Sequence, residues 1–275
     1  MALRTLKDVD CTNQKVLIRV DFNIEQSNIA QIEEHFRLDI AKKTVDCIAA
    51  QPGTKIALLT HFGRPDGKRD PRYSVNQLTE AVSRSLGKEI VFVADCIGES
   101  VTQALEQLLP HQILLLENVR FYGAEEDNDP VFAKQLASPF TLYVNEAFSV
   151  CHRAHASVEA ITRLIPSYAG LRLIEEITEL DRIRFSPEHP AIAIIGGAKI
   201  ETKLPLITAL EKNYDAILVG GKVANEALDQ KLVFGEKVLL PKDFDSSARL
   251  DIGPQTIAYF TQIIAMAKTI VWNGP

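Results

Sequence analysis

The chain has 275 residues, a net charge of −6 and 46% apolar residues. This mixture is that of an ordinary globular protein with one large domain or two smaller ones, and it excludes disordered, collagen-like and coiled-coil chains. Neither half of the sequence is basic, so broad nucleic-acid binding is excluded as well. Any phosphate site must therefore be a local cluster of cations.

The four cysteines form no CxxC pair and no zinc-binding spacing, so we expect reduced structural thiols. The first ten residues lack the apolar segment of a secretory signal. The longest apolar stretch, Ala191–Ala198, is far shorter than the ~18 residues that a membrane span needs. We therefore expect a cytoplasmic protein that does not contact a membrane.

Short apolar runs alternate with amphipathic segments along the chain. Runs without polar alternation indicate strands buried on both faces of a parallel sheet that helices cover. The predicted strands are Val16–Val20, Ile56–Thr60, Ile90–Val93, Ile113–Leu116, Leu142–Val144, Ala191–Ile195, Ala216–Val219, Val238–Leu240 and Thr269–Trp272. The predicted helices are Ser74–Leu86, Ser100–Leu109, Pro130–Leu136, Leu171–Ile183 and Pro254–Met266, and first helical turns are expected at Pro205 and Pro254. The alternation predicts an α/β architecture with right-handed crossovers.

The long helical segment Leu171–Ile183 interrupts this alternation near the middle of the chain. It ends before Pro187, after which the buried-strand pattern resumes. We therefore predict two lobes, residues 1–168 and 190–275, joined by a connecting helix and hinge over residues 169–189.

Polar side chains gather directly after several predicted strands. Because ligands bind at the carboxyl ends of strands in open α/β sheets, these positions are candidate binding residues. Three strand ends each deliver an arginine (Arg64, Arg120 and Arg153), and guanidinium groups suit the forked binding of phosphate or carboxylate. Arg37, at the start of a helical segment, is a further candidate. The alternative is that these arginines form surface ion pairs and that the nearby histidines are structural.

In the second half of the chain, a predicted strand runs into Gly196 and Gly197, followed by Lys199 and Lys203. Glycines let a backbone approach a phosphate closely, and a helix N-terminus attracts anions. The two lysines share one helical face if the helix begins this early. The pattern favours a nucleotide-phosphate site, with a simple turn as the alternative. The sequence has no GxxxxGK[ST] motif and no HRD–DFG order, which excludes P-loop enzymes and protein kinases.

Seven colinear motifs cover nearly the whole chain. They are RVDFN (Arg19–Asn23), HFGRP (His61–Pro65), LENVRF (Leu116–Phe121), HRAHAS (His152–Ser157), GGAKIETK (Gly196–Lys203), DIGPQT (Asp251–Thr256) and WNGP (Trp272–Pro275). Together they resemble the phosphoglycerate kinase family, whose members transfer a phosphoryl group between ATP and 3-phosphoglycerate. The resemblance implies two doubly wound parallel-sheet lobes joined by a long helix, with a hinge that closes over the substrates.

The resemblance also implies roles for single residues. Arg37 and Lys199 match residues beside the transferred phosphoryl group, where positioning and positive charge are needed more than covalent help. The implied cofactor is ATP or ADP with Mg²⁺ carried by the nucleotide, and we expect a monomer that binds no nucleic acid. The implied 3-phosphoglycerate site comprises Asp21, Phe22, Asn23, Arg37, His61, Phe62, Gly63, Arg64, Arg120 and Arg153, and the implied nucleotide site comprises Gly196, Gly197, Lys199 and Lys203.

The chain also departs from the family pattern. In the family, WNGP leads into a segment with a glutamate for the nucleotide sugar and then into a glycine-rich phosphate loop. The sequence stops before both, so we expect an incomplete second lobe and a truncated product. Glu146 stands in place of the usual aspartate, Ser149 in place of a glycine, and Lys222 in place of the third glycine of a GGG run.

Three functional hypotheses follow from these observations. The first is a phosphoglycerate kinase, and the second is a non-catalytic remnant that binds 3-phosphoglycerate or a similar phosphorylated acid. Phosphate transfer, as distinct from binding, separates these two. The third is a nicotinamide-dependent oxidoreductase, which rests only on the glycine turns because the full GxGxxG motif is absent.

Overall fold

The computed structural model describes residues 3–24 and 36–274. Pro275, the last residue of the WNGP motif, lies outside the described residues. The chain separates into two compact units, Met1–Glu176 and Ile177–Pro275. The division falls inside the helix that the sequence predicts as a connector, and the boundaries of the predicted lobes stay a prediction.

The first unit contains a sheet of six parallel strands. The strands are β1 (Lys15–Arg19), β2 (Lys55–Leu59), β3 (Glu89–Val93), β4 (Gln112–Leu116), β5 (Leu142–Asn145) and β6 (Ser167–Ala169). Their order across the sheet is β3-β4-β2-β1-β5-β6, and each neighbouring pair is parallel. The α-helices are α1 (Phe36–Asp39), α2 (Lys42–Ala49), α3 (Thr79–Leu86), α4 (Glu99–Gln107), α5 (Gly123–Glu126), α6 (Pro130–Ala137) and α7 (Leu171–Phe185), the last of which runs on into the second unit.

Both faces of this sheet are buried. Alternate residues of β1 point to opposite sides, so that Val16 and Ile18 belong to one apolar cluster and Leu17 to another. Val82 of α3 packs in the first cluster and Leu105 of α4 in the second. Because helices cover both sides, the strands have no face on which to expose polar side chains, and these side chains concentrate at the strand ends.

The second unit repeats this plan on a smaller scale. It contains β7 (Ala191–Ile195), β8 (Ala216–Val219), β9 (Val238–Leu239) and β10 (Thr269–Asn273), with α8 (Ile200–Leu210), α9 (Gly221–Asp229) and α10 (Pro254–Ala265). The strands are parallel in the order β10-β7-β8-β9. Residues of α8 and α9 pack on one face, and Phe260 of α10 packs on the other. The predicted α/β class with parallel sheets is confirmed.

The start of α8 differs from the expectation. The helix begins at Ile200, whose backbone N–H donates to Glu226 Oε2 at 2.8 Å. Lys199 is therefore extended backbone before the helix and does not share a helical face with Lys203. Pro205 lies inside the helix and not in its first turn, whereas Pro254 does occupy the first turn of α10. Across the described residues, none of the helices has the length and apolar character that crossing a bilayer requires.

The start of α7 is held by a buried carboxyl group. Glu146, which is 4% exposed, follows β5 and accepts hydrogen bonds through Oε1 from Thr44 Oγ1 (2.6 Å) and from the Arg172 backbone N–H (3.1 Å). Its Oε2 has no partner in the described part of the chain and lies against Gly170. Burial raises the pKa of Glu146 to about 7, and the hydrogen bonds only partly oppose this rise.

We predict that Glu146 makes the first unit lose stability as the pH rises from about 5 to 8. The unfolded carboxyl group ionises near pH 4.3, whereas the folded one keeps its proton to about pH 7. The native state therefore binds more protons in this window, and the free energy of unfolding falls by roughly 2–3 kcal/mol. In urea denaturation, Glu146→Gln should remove this fall. The free energy of unfolding of the variant should therefore rise relative to that of the wild type as the pH increases from about 5 to 8.

Glu125→Gln is the matched control, because Glu125 is also fully buried but has a lowered pKa. Its carboxyl group is ionised in both states over this window, so the difference between this variant and the wild type should not change with pH. A pH-independent difference for Glu146→Gln as well would contradict the prediction.

Candidate functional site

A cavity of ≈ 260 Å³ lies in the first unit at the carboxyl ends of β1, β2, β4 and β5. The loop after each of these strands contributes to its wall, and α1 adds Arg37. The lining residues are Asp21, Asn23, Arg37, His61, Gly63, Arg64, Arg120, Ser149, Val150 and Arg153. The structure thus brings together all the predicted substrate residues except Phe22 and Phe62.

Among the residues that the structure describes, four arginines and a single aspartate line the cavity, so this part of its wall is strongly cationic. Arg64 and Arg153 are exposed and form no ion pair within the described ranges. Arg37 donates to Asp21 Oδ2 at 2.5 Å, and Arg120 Nε lies 3.2 Å from Glu126 Oε1. Unpaired guanidinium groups at the wall of a cavity favour an anion, and their fork suits phosphate or carboxylate oxygens.

The one aspartate of the cavity is fully engaged. Asp21 Oδ2 accepts hydrogen bonds from Arg37 and from Ser149 Oγ (2.6 Å), and its Oδ1 accepts the backbone N–H of Asn23 (3.1 Å). These contacts hold the arginine of α1 at the cavity. Asp21 therefore positions Arg37 at the wall of the cavity.

Gly63 lies between two polar side chains of the cavity. Its N–H donates to Asn23 Oδ1 (2.8 Å), and its carbonyl accepts from Arg120 Nη1 (3.0 Å). Gly63 has φ +63°, and a Cβ there would lie 2.4 Å from the Tyr73 ring. Only glycine fits this conformation and this space.

Two buried polar side chains join the loops beneath the cavity, and the sequence patterns did not single them out. Asn118 Oδ1 accepts the N–H of Phe62 (3.2 Å) and of Arg120 (3.1 Å), which ties the loop after β2 to the loop after β4. Thr60 Oγ1 accepts the N–H of Phe22 (3.0 Å), which ties the loop after β1 to β2. The one sequence feature that could have identified them is their position at the ends of predicted strands.

The side chains of Phe22 and Phe62 do not reach the cavity. Both are 0% exposed and pack in the apolar cluster under the sheet with Ile18 and Leu58. Each continues the alternation of the strand before it, so its side chain lies on the same side of the sheet as Ile18 or Leu58. They support the loops that carry the neighbouring polar residues.

Ser149 and Val150 line the cavity but were not among the predicted site residues. The hydroxyl group of Ser149 donates to Asp21 Oδ2. A short polar residue in a loop after a strand was too weak a signal to assign it to the site.

His61 is neutral in this setting. It is 5% exposed, and burial, with the charges of Arg19, Arg120 and Arg153 added, lowers its pKa from 6.5 to about 2. The ring therefore carries no charge over the physiological range and contributes a hydrogen-bonding group only.

The second unit carries the predicted glycine–lysine segment at the carboxyl ends of β7 and β10. Gly196 N–H donates to the Asn273 carbonyl (2.8 Å), and Lys203 Nζ donates to Asn273 Oδ1 (2.5 Å). Gly197 has φ +119°, a conformation that favours glycine. Lys199 is exposed just before α8. The structure thus brings Gly196, Gly197 and Lys203 together at the carboxyl ends of β7 and β10.

The start of α10 is occupied by a side chain of the chain itself. Asp243 accepts the backbone N–H groups of Gln255 (2.9 Å) and Thr256 (2.8 Å), and also the Thr256 hydroxyl (2.6 Å). The Thr256 hydrogen bond lowers the pKa of Asp243. A Cβ at Gly253 would lie 2.5 Å from the Asp243 carboxylate. This part of the DIGPQT motif therefore stabilises the fold.

No group of three or more His, Cys, Asp or Glu residues is arranged to hold a metal ion in the portion of the chain that the structure describes.

The sequence is similar to known proteins over most of its length. A sequence model described as phosphoglycerate kinase matches residues 6–244. The phosphoglycerate kinase of Coprothermobacter proteolyticus is 34% identical over 318 residues, and that of Bartonella tribocorum is 38% identical over 320 residues. Each match covers 100% of this chain and 81% or 80% of the relative.

Solved structures are similar as well. The phosphoglycerate kinase of Coxiella burnetii has a TM-score of 0.79 at 26% identity, with 100% of this chain and 80% of that chain covered. The phosphoglycerate kinase of Pyrococcus horikoshii has a TM-score of 0.81 at 24% identity, with 99% of this chain and 81% of that chain covered. At this identity the similarity supports the fold alone. With a family model matched over most of its length and relatives above 30% identity, the chain belongs to the phosphoglycerate kinase family.

Proposed function

We propose that the chain transfers a phosphoryl group reversibly between ATP and the carboxylate of 3-phosphoglycerate, as a monomer in cytoplasmic glycolysis. The observation that carries this proposal is the cavity of the first unit, whose described lining includes four arginines and one carboxylate that is already engaged. Family membership supplies the reaction, and the cavity supplies a place for the acid substrate.

The cavity suits a small acid with two anionic ends. Its volume of ≈ 260 Å³ is just below the roughly 300–1,000 Å³ of pockets for drug-sized ligands, which favours a small molecule such as 3-phosphoglycerate. In our proposal, Arg64 and Arg153 bind the phosphate with their unpaired guanidinium groups, and Arg120 and neutral His61 donate beside them. Arg37, held by Asp21, contacts the substrate carboxylate, where charge develops during transfer.

The proposed nucleotide-phosphate site is the segment after β7. Gly196 and Gly197 allow a close backbone approach, Lys203 supplies a half-buried ammonium group, and Lys199 is free to reach the transferred group. Mg²⁺ is proposed to arrive on the nucleotide phosphates as part of that substrate. Phosphoryl transfer requires positioning and positive charge around the phosphoryl group, which these lysines and Arg37 supply.

A second function is binding of 3-phosphoglycerate or a similar acid without transfer. The observation in its favour is that all the described residues lining the cavity belong to the first unit. Binding of the acid is therefore expected to need no residue of the second unit. Calorimetry with 3-phosphoglycerate and transfer of labelled γ-phosphate from ATP separate the two functions. Binding with transfer supports the kinase, binding without transfer supports the second function, and absence of both refutes the assigned site.

We predict that Arg64→Ala weakens 3-phosphoglycerate binding by roughly 1.5–3 kcal/mol, or about 10- to 100-fold, because it removes a charge-assisted contact. Titration calorimetry measures this change. Arg84→Ala is the control, since Arg84 is an exposed arginine of α3 that does not line the cavity, and its affinity should match the wild type. Equal affinities for both variants would remove Arg64 from the site.

We predict that Lys199→Ala lowers turnover on the order of 10²-fold and leaves the affinity for 3-phosphoglycerate unchanged, because its ammonium group acts on the transferred phosphoryl group. Steady-state kinetics together with calorimetry give both quantities. Lys212→Ala is the control, because Lys212 is exposed beyond the end of α8. Weaker binding with preserved turnover would contradict the assigned role.

A further inference from the structure

Arg19 is a buried arginine that pairs with no carboxylate among the described residues. It is the last residue of β1 and is 1% exposed. Its guanidinium group contacts three acceptors: Nε donates to Ser157 Oγ (3.0 Å), Nη1 donates to the Val20 carbonyl (2.6 Å), and Nη2 lies 3.1 Å from His61 Nδ1. Each of its nitrogens therefore has a defined partner.

The contact with His61 determines where the imidazole proton is. A guanidinium group has donors and no acceptor, and it keeps its charge in proteins. His61 Nδ1 must therefore accept the hydrogen bond and cannot carry a proton. A neutral imidazole has one N–H, and here it is on Nε2.

The other side of Arg19 is fixed in the same way. Ser157 Oγ donates its single proton to Glu125 Oε1 (2.6 Å), and Glu125 Oε2 accepts the Ser157 N–H (2.8 Å). The Ser157 hydroxyl is thus left as an acceptor for Arg19 Nε. Glu125 is 0% exposed, so no water competes for its carboxylate, and its charge orients the Ser157 hydroxyl group.

This series of hydrogen bonds, from Glu125 through Ser157 and Arg19, ends at His61 in the cavity wall. His61 lines the cavity wall, and its Nε2 has no hydrogen-bond partner in the described ranges. A protonated His61 would face the charges of Arg19, Arg120 and Arg153. A neutral Nε2–H adds a donor to this cationic wall without adding another repelling charge.

We propose that Arg19 is a positioning residue that fixes His61 as the Nε2–H tautomer, so that His61 donates a neutral hydrogen bond to the acid bound in the cavity. The identity of that acid rests on the proposed function. The tautomer does not, because it is set in the free protein by Glu125, Ser157 and Arg19.

Long-range ¹H–¹⁵N spectra of the ligand-free chain with ¹⁵N-labelled histidine test the tautomer, with His61→Gln to assign the signals. We expect a protonated Nε2 and an unprotonated Nδ1 for His61, unchanged between pH 5 and 8. An Nδ1–H tautomer, or a ring protonated on both nitrogens at pH 7, would overturn the proposal. This test needs no variant of Arg19 to fold.

Arg19→Met and Arg120→Met separate the hydrogen bond from the charge. Both remove a positive charge near His61, but only Arg19 bonds to the ring. We expect mixed tautomers in Arg19→Met and an unchanged Nε2–H signal in Arg120→Met. A pure Nε2–H signal in a folded Arg19→Met variant would show that Arg19 does not set the tautomer.

Binding of 3-phosphoglycerate completes the test. We expect Arg19→Met to weaken binding of 3-phosphoglycerate about tenfold. Adding His61→Gln to that variant should change the affinity little further, because both substitutions remove the same hydrogen bond from His61 to the acid. Nε2–H in a chain that does not bind 3-phosphoglycerate would refute the proposed function alone. An Nδ1–H tautomer in a chain that binds it would refute this inference alone.

Discussion

Burial of both faces of a parallel sheet is the constraint on which the rest of the first unit depends. Helices cover each side, so the strands contribute apolar side chains to the two clusters and polar ones near their ends. The carboxyl ends of β1, β2, β4 and β5 are neighbours in the sheet order. Arginines that are far apart in sequence, such as Arg64 and Arg153, are thereby brought to one cavity.

A cluster of like charges needs support that does not neutralise it. The loops are held by neutral groups, with Asn118 and Thr60 accepting backbone N–H groups under the cavity. Carboxylates contact two of the four arginines, since Asp21 holds Arg37 and Glu126 lies beside Arg120, while Arg64 and Arg153 form no ion pair among the described residues. The cavity therefore keeps its positive potential, and its donors are oriented before a ligand arrives.

Much of this could be predicted from the sequence, because the dominant signals were local. Continuous apolar runs located most strands to within a residue or two, and the rule that ligands bind at strand ends selected the arginines. The three-residue strand β6 was missed because Ser167–Ala169 is too short to form a pattern. The inward direction of Phe22 depends on packing, and the proton position on His61 depends on a contact with Arg19, 42 residues away in sequence. No spacing in the sequence encodes either.

The contact between Glu146 and Gly170 limits which residues fit at these two positions. A Cβ at Gly170 would lie 1.7 Å from Glu146 Oε2 and 3.2 Å from the Asn145 carbonyl. The carboxyl group of Glu146 therefore leaves no room for a side chain at position 170. A larger residue at position 170 therefore requires a shorter side chain at position 146, so the two positions are coupled by packing and not only by the hydrogen bonds of Glu146.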